Sequence, residues 1–320
     1  MALTGTRCTP AKDKALQEGP PVVPSGTAPE EPPHATPRIQ ETRGHHAATR
    51  GAGDPCANDA GGPCANDAGG PHRKANAPAC APEMANLGTY CIDRYEAHLV
   101  TVTPSGREAP HPHTERPPSG APYRAGSALG VFPQGYINRV EAAAACRAAG
   151  KRLCSLREWH DACTGRRRHV YPYGPEKRAG TCNTGKLHLL SILFGRDPGI
   201  WSYDLHFNSP KLNAEPGYLA RSGEYSGCMT ELGVYDLVGN LHEWVSDVVD
   251  ATLESKVPLS DPLRRSLRRN RGHGVFMGGF YSTSSQHGEG CNYLTPGHEP
   301  GYHDYSTGFR CCKDLAGAVR

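Results

Sequence analysis

Asp236, Asn240 and Glu243 stand four and three residues apart inside the run Gly233-Val-Tyr-Asp-Leu-Val-Gly-Asn-Leu-His-Glu-Trp-Val-Ser-Asp247. Apolar Val234, Leu237, Val238 and Trp244 are interleaved with these oxygen-bearing residues. An amphipathic helix would show a cleaner 3.6-residue period, so the run reads as a buried loop able to hold a hard cation. Such an ion wants six to eight oxygens, and a tight glycine-containing turn can aim carboxylates and carbonyls at one point. The alternative is that Asp236 and Glu243 cap turns or pair with arginines. Two shorter signals follow, Gly278-Gly-Phe-Tyr281 and Gly308-Phe-Arg-Cys-Cys312.

A second set of candidates is His287, Cys291, His298 and His303, with Asp304 alongside. Imidazole with thiolate or carboxylate suits zinc or non-haem iron. The spacing Cys-x6-His-x4-His matches no compact ligand pattern, however, and histidines in Gly/Pro-rich loops are commonly just solvated. The adjacent Cys311 and Cys312 offer a redox pair. The competing reading gives each a separate partner, Cys80 or Cys91 for one and Cys154, Cys163, Cys182 or Cys228 for the other.

The elements that must position these residues are short. Asn138 with Glu141 forms a capping-box pattern that predicts a helix over 139–149, closed by Gly150. Ser155 with Glu158 repeats it for 156–163, closed by Gly165. Val140, Ala143, Ala144 and Ala148 give the first helix a small-residue face suited to a sheet. Two short strands flank a turn near Asn86-Leu-Gly88. Past Tyr171, Gly and Pro recur every few residues, and strands are expected at 274–277 and 307–311.

Residues 1–78 are rich in Pro, Gly, Ala, Thr and His and contain the eight-residue tandem repeat Pro55–Gly62 and Pro63–Gly70. They carry too little apolar surface to offset ordering entropy and are expected to be disordered. The folded domain is expected over 79–316. A net charge of +3 does not argue for nucleic acid, and the basic clusters Arg166–Arg168 and Arg264–Arg271 lack interleaved aromatics and read as solvated loops. No stretch is long and apolar enough for a membrane span. No signal peptide is visible in residues 1–25. Ten of the thirteen cysteines fall between Cys80 and Cys312, which points to a disulfide-bearing, exported domain in the periplasm, outside the cell or on a lipid anchor.

An ordered series of motifs carries a family resemblance. Ile92-Asp-Arg-Tyr-Glu96, Ala143-Ala-Ala-Cys146, Gly150-Lys-Arg-Leu-Cys-Ser-Leu-Arg-Glu-Trp159, Ala162-Cys-Thr-Gly165, Tyr171-Pro-Tyr-Gly174 and Cys182-Asn183 occur in that order. Asp236-Leu-Val-Gly-Asn-Leu-His-Glu-Trp244, Gly278-Gly-Phe-Tyr281 and Gly308-Phe-Arg-Cys311 follow. The series resembles the formylglycine-generating enzyme (sulfatase-modifying factor) family over about residues 79–314. The resemblance implies an α+β, C-type-lectin-like fold with little regular secondary structure, stabilised by disulfides.

It also implies a structural calcium held by the Asp236 and Glu243 side chains and the Gly239 and Leu241 carbonyls. A second family site would begin at Asn183-Thr184. The family's enzymes oxidise a substrate cysteine to formylglycine with two thiolates that bind Cu(I), a soft ion that prefers sulfur. On the match those thiolates fall at Thr283 and Gly288, and the motif serine at Phe280. None of the three can bind copper, so no copper cofactor is expected. The resemblance gives Cys291 to a disulfide with Cys146. The resulting expectation is a calcium-stabilised binding module for a peptide or glycan without the oxidase machinery. The alternative is a divergent metal-dependent oxidoreductase using Cys291 and the nearby His287, His298 and His303.

Overall fold

Both capping boxes close as written. Asn138 Oδ1 accepts the Glu141 N–H at 2.8 Å while Glu141 Oε2 accepts the Asn138 N–H at 3.2 Å. Ser155 and Glu158 make the same exchange at 3.3 and 2.8 Å. They open α1 (Arg139–Ala148) and α2 (Leu156–Thr164). The computed structural model describes residues 80–103, 105–256, 261–283 and 287–315, all within one unit spanning Lys74–Arg320. The low-complexity expectation for 1–78 lies outside the described residues, as do Cys8, Cys56 and Cys64.

Eleven strands, none longer than seven residues, form three sheets among the described residues. The first is ordered β1 (Met84–Asn86), β2 (Tyr90–Asp93), β11 (Cys311–Asp314), β6 (Arg152–Leu153). The second runs β10 (Thr307–Phe309), β7 (His242–Val248), β8 (Gly274–Met277), β9 (Leu294–His298), with β10 and β7 parallel. The third is β4 (Glu108–Pro110), β3 (Ala97–Val102), β5 (Tyr123–Ser127). Short helices α3 (Leu189–Phe194) and α4 (Lys211–Ala214) and the longer α5 (Asp261–Arg269) fill the connections.

Three expectations need correction. The face of α1 that packs is Ala142, Ala145 and Cys146, while Val140 is 57% exposed and Ala144 and Ala148 are also exposed. A helix made largely of alanine has little hydrophobic contrast, so the sequence period cannot pick its inner face. The run Gly233–Asp247 is a loop only to Leu241. From His242 it is the central strand β7, buried on both faces through Val245. The Arg264–Arg271 cluster belongs mostly to a helix, α5, whose Leu263 and Leu267 are buried.

The disulfide framework also differs from expectation. Cys146 bonds Cys311 and Cys163 bonds Cys291, so the expected Cys146–Cys291 bridge does not form. Cys291 packs in the core beside α2 with Trp159 and Cys163, whereas Cys146 packs with Trp244 and Phe309 in a second cluster. Successive strand residues point to opposite faces. Cys311 and Cys312 therefore enter these two clusters separately, Cys311 reaching α1 and Cys312 reaching Cys154 before α2. That geometry forbids a redox pair between them. Cys80–Cys91 and Cys182–Cys228 complete five bridges, and no described cysteine is free.

Candidate functional site

The loop before β7 is shaped by three left-handed residues, Asp236 (φ 58°), Gly239 (φ 85°) and Asn240 (φ 57°). Gly239 is required: a Cβ there would lie 2.2 Å from the Asn183 carbonyl oxygen. The close approach lets the Asn240 N–H donate to that oxygen at 2.9 Å. Asn183 Nδ2 donates to Asn240 Oδ1 at 2.8 Å, and Asn240 Nδ2 donates to Glu96 Oε2 at 2.5 Å. The Leu241 N–H donates to Glu96 Oε1 at 3.1 Å. The two stretches expected to hold separate ions thus adjoin, and Glu96, which sequence reasoning left without a role, joins them.

Glu243, the second residue of β7, is held by an arginine. Its Oε1 accepts from Arg310 Nη2 at 2.6 Å, and its Oε2 accepts from Arg310 Nε at 2.6 Å and Trp159 Nε1 at 2.8 Å. Arg310 is wholly buried and also donates to the Asp93 and Tyr235 carbonyls at 3.0 and 2.8 Å. Burial works against its charge, but Glu243 more than offsets this and holds the guanidinium above its ordinary range. Asp236 accepts the Gly223 N–H at 2.6 Å. Burial raises its carboxyl to about 7, opposed by the Gly223 hydrogen bond and Arg310. Glu96 is raised well above the carboxylate range by burial first, then by Asp236 and Glu243.

This arrangement bears on how Glu243 would fit calcium. A cation at Glu243 would compete with a buried guanidinium that already engages both oxygens, so Glu243 does not fit the expected ligand set. The pairing with an arginine, the alternative left open by the sequence, is what forms. Asn183 differs: its Oδ1 is buried with no hydrogen-bond partner, and it fits a role as a cation ligand. Thr184, next to it, lines a separate cavity. Among the described residues, no three His, Cys, Asp or Glu side chains converge as a metal ion requires.

The positions that would carry copper thiolates face that cavity, a small one of about 80 Å³. Thr283 and Gly288 line it together with Tyr171, Thr184, Tyr293 and Lys177. Thr283 Oγ1 accepts the Phe280 N–H at 2.6 Å, which ties down the turn after Gly279. Phe280, in the place of the family's serine, packs edge-on against Tyr305 with ring centroids 5.7 Å apart.

His287, His298 and His303 do not form one site. His303 Nδ1 lies 2.7 Å from Asn208 Oδ1, and its ring packs near Tyr203. His298 is stacked between Tyr302, 3.8 Å away, and Phe276, 5.5 Å away. The row continues through His242, 4.5 Å from Phe276, to Tyr293 and exposed His287. Sequence reasoning missed His242, whose only signal was an imidazole in a buried strand. Burial, then His273 and His287, lowers His298 to about 4, while burial, then His298 and His287, pushes His242 well below its ordinary range.

A histidine depressed in the fold is charged more easily once unfolded, so its contribution is complete above about pH 6.5 and is lost as pH falls toward 4. His298→Phe keeps the stacked row and removes one titration. The expected result is a flatter thermal-midpoint curve across that window, worth about 2 kcal/mol after discounting for partial exposure. A slope identical to wild type would show that His298 is not one of the acid-labile groups.

The fold and site define a class: a loop-rich α+β domain tied by five disulfides, with a carboxylate–arginine pair at its centre. Residues 105–315 match the sulfatase-modifying factor enzyme 1-like domain, and the chain belongs to that family. Solved structures similar to it include PvdO from Pseudomonas aeruginosa, 15% identical with a TM-score of 0.37, covering 71% of this chain and 80% of that one. CarF is 16% identical with a TM-score of 0.38, covering 71% and 86%. The P3c variant of the Major Tropism Determinant is 14% identical with a TM-score of 0.38, covering 74% and 54%. No curated protein matches the sequence. The five disulfides suggest an oxidising, exported compartment. Among the described residues no helix is long and apolar enough to cross a membrane.

Proposed function

We propose that residues 79–316 form a non-oxidising member of the family, a binding module for a peptide or glycan. One observation carries this reading: Thr283 and Gly288 line the cavity where two thiolates would have to stand, and the cysteine that follows them in sequence, Cys291, is bonded to Cys163. Cu(I) held by two thiolates needs two sulfurs, and the described residues offer no free one. Calcium enters this reading only at Asn183, since Arg310 supplies the positive charge beside Glu243.

A recognition surface is supported by the segment that follows Asn183-Thr184. Leu187, Ile192, Ile200, Tyr203 and Leu205 are five of the eight large apolar side chains exposed among the described residues, and all fall within it. Clustered exposed apolar groups mark interaction sites far more often than scattered ones. His188 and Trp201, in the same segment, stack with ring centroids 5.4 Å apart.

The test is an aldehyde assay on a cysteine-containing sulfatase peptide, with the protein loaded with Cu(I) under air. No turnover is expected. Aldehyde formation by the wild-type chain would overturn the proposal, and loss of that activity in Cys56→Ser/Cys64→Ser would place the thiols in the tandem repeat.

A further inference from the structure

The cluster that reads as a solvated loop in the sequence lies, in the fold, mostly on a helix that sets three exposed arginines on one face. Arg265, Arg268 and Arg269 occupy positions i, i+3 and i+4 of α5, which share one helix face. With Arg271 just beyond, they are exposed and have no hydrogen-bond or ion-pair partner among the described residues. Asp261 is the helix's single acidic residue. The opposite seam is occupied: Leu263 and Leu267 are 4% and 3% exposed and sit in the main core.

We propose that this face of α5 binds a linear acidic polysaccharide, through sulfate or uronate groups laid along the row. The inference rests on the glycan half of the reading above and names the glycan's chemistry. Charge complementarity selects a polyanion, since repeated anionic groups meet a cationic row spanning about 6 Å of helix between Arg265 and Arg269. Two other polyanions fit less well. A membrane surface would draw on an apolar face for insertion, and the leucines that could supply it are buried in the core. Single-stranded nucleic acid is gripped by aromatic stacking as well as charge, and residues 261–272 contain no Phe, Tyr or Trp.

The experiment measures binding of the full chain to dextran sulfate over a salt series. Wild type is expected to bind with a log–log salt slope of about −3, by analogy with roughly 0.7–0.9 released counterions per contact on nucleic acids. Arg265→Glu/Arg268→Glu/Arg269→Glu is expected to weaken binding at least about tenfold and to flatten the slope by about two, while the Arg→Lys triple variant keeps both. A thermal midpoint checks that the Glu variant is folded; if it is not, the Arg→Gln triple variant is read in its place with the same expectation. Unchanged affinity in the charge-removed variant overturns the proposal. So does equal competition by uncharged dextran, or tighter binding to single-stranded DNA or anionic vesicles at the same salt. None of these outcomes bears on aldehyde formation, so the two proposals fail separately.

Discussion

Arg310→Met lowers the unfolding free energy by about 3–5 kcal/mol, because it strands a buried carboxylate that had been paired and hydrogen-bonded. Glu243 keeps only the Trp159 N–H, and Glu96 and Asp236 lose the nearby cation that lowers both of their pKa values. The double variant Arg310→Met/Glu243→Gln removes the stranded charge and retains an oxygen for Trp159. It is expected to recover more than half of the loss, since replacing both members of a buried pair is far milder than removing one. Urea midpoints of the two single variants and the double give the coupling directly. Adding calcium provides the decisive control. If millimolar calcium restores the Arg310→Met midpoint, a dication can stand where the guanidinium stood and Glu243 belongs to an ion site after all.

Opening the Cys146–Cys311 bridge with alanines costs more than opening Cys80–Cys91, although chain restriction contributes about 3 kcal/mol at each. The sequence separations are 165 and 11, but the intact Cys154–Cys312 bridge still joins the ends of the longer segment, so each opened bridge frees a loop of only about ten residues. The Cys146–Cys311 bridge also clamps α1 onto β11, so its loss loosens the cluster around Trp244 and Phe309 and adds a packing loss. Guanidinium unfolding of the two variants checks the order. Equal losses would mean that chain restriction alone sets the scale. Non-reducing peptide mapping checks the pairing itself, with Cys146 linked to Cys311 and Cys163 linked to Cys291.

Much of the local structure was legible because local rules specify it. The residues of each capping box lie three apart and satisfy one another wherever the helix sits. The strand at Gly274–Met277 and the pair flanking Asn86-Leu-Gly88 needed only alternation and a turn. The failures share a cause. The alanine-rich α1 hid its inner face, the Asp236–Glu243 run concealed a change from loop to strand, and Cys291 was given the wrong partner. Each depends on which surfaces meet, and pairwise sequence spacing does not carry that.

Sequence alone determined that this is a cysteine-rich member of its family and that Phe, Thr and Gly stand at 280, 283 and 288, since side-chain identity is fixed by the sequence. The tertiary fold decided what occupies the centre. Glu243 and Arg310 are 67 residues apart, and β10 and β7 pair in parallel just before the arginine leaves the strand. That pairing places a guanidinium against a carboxylate where both side chains are buried, at 0% and 1% exposure. In such a place the nearest opposite charge wins, and proximity of that kind is a property of packing rather than of order along the chain.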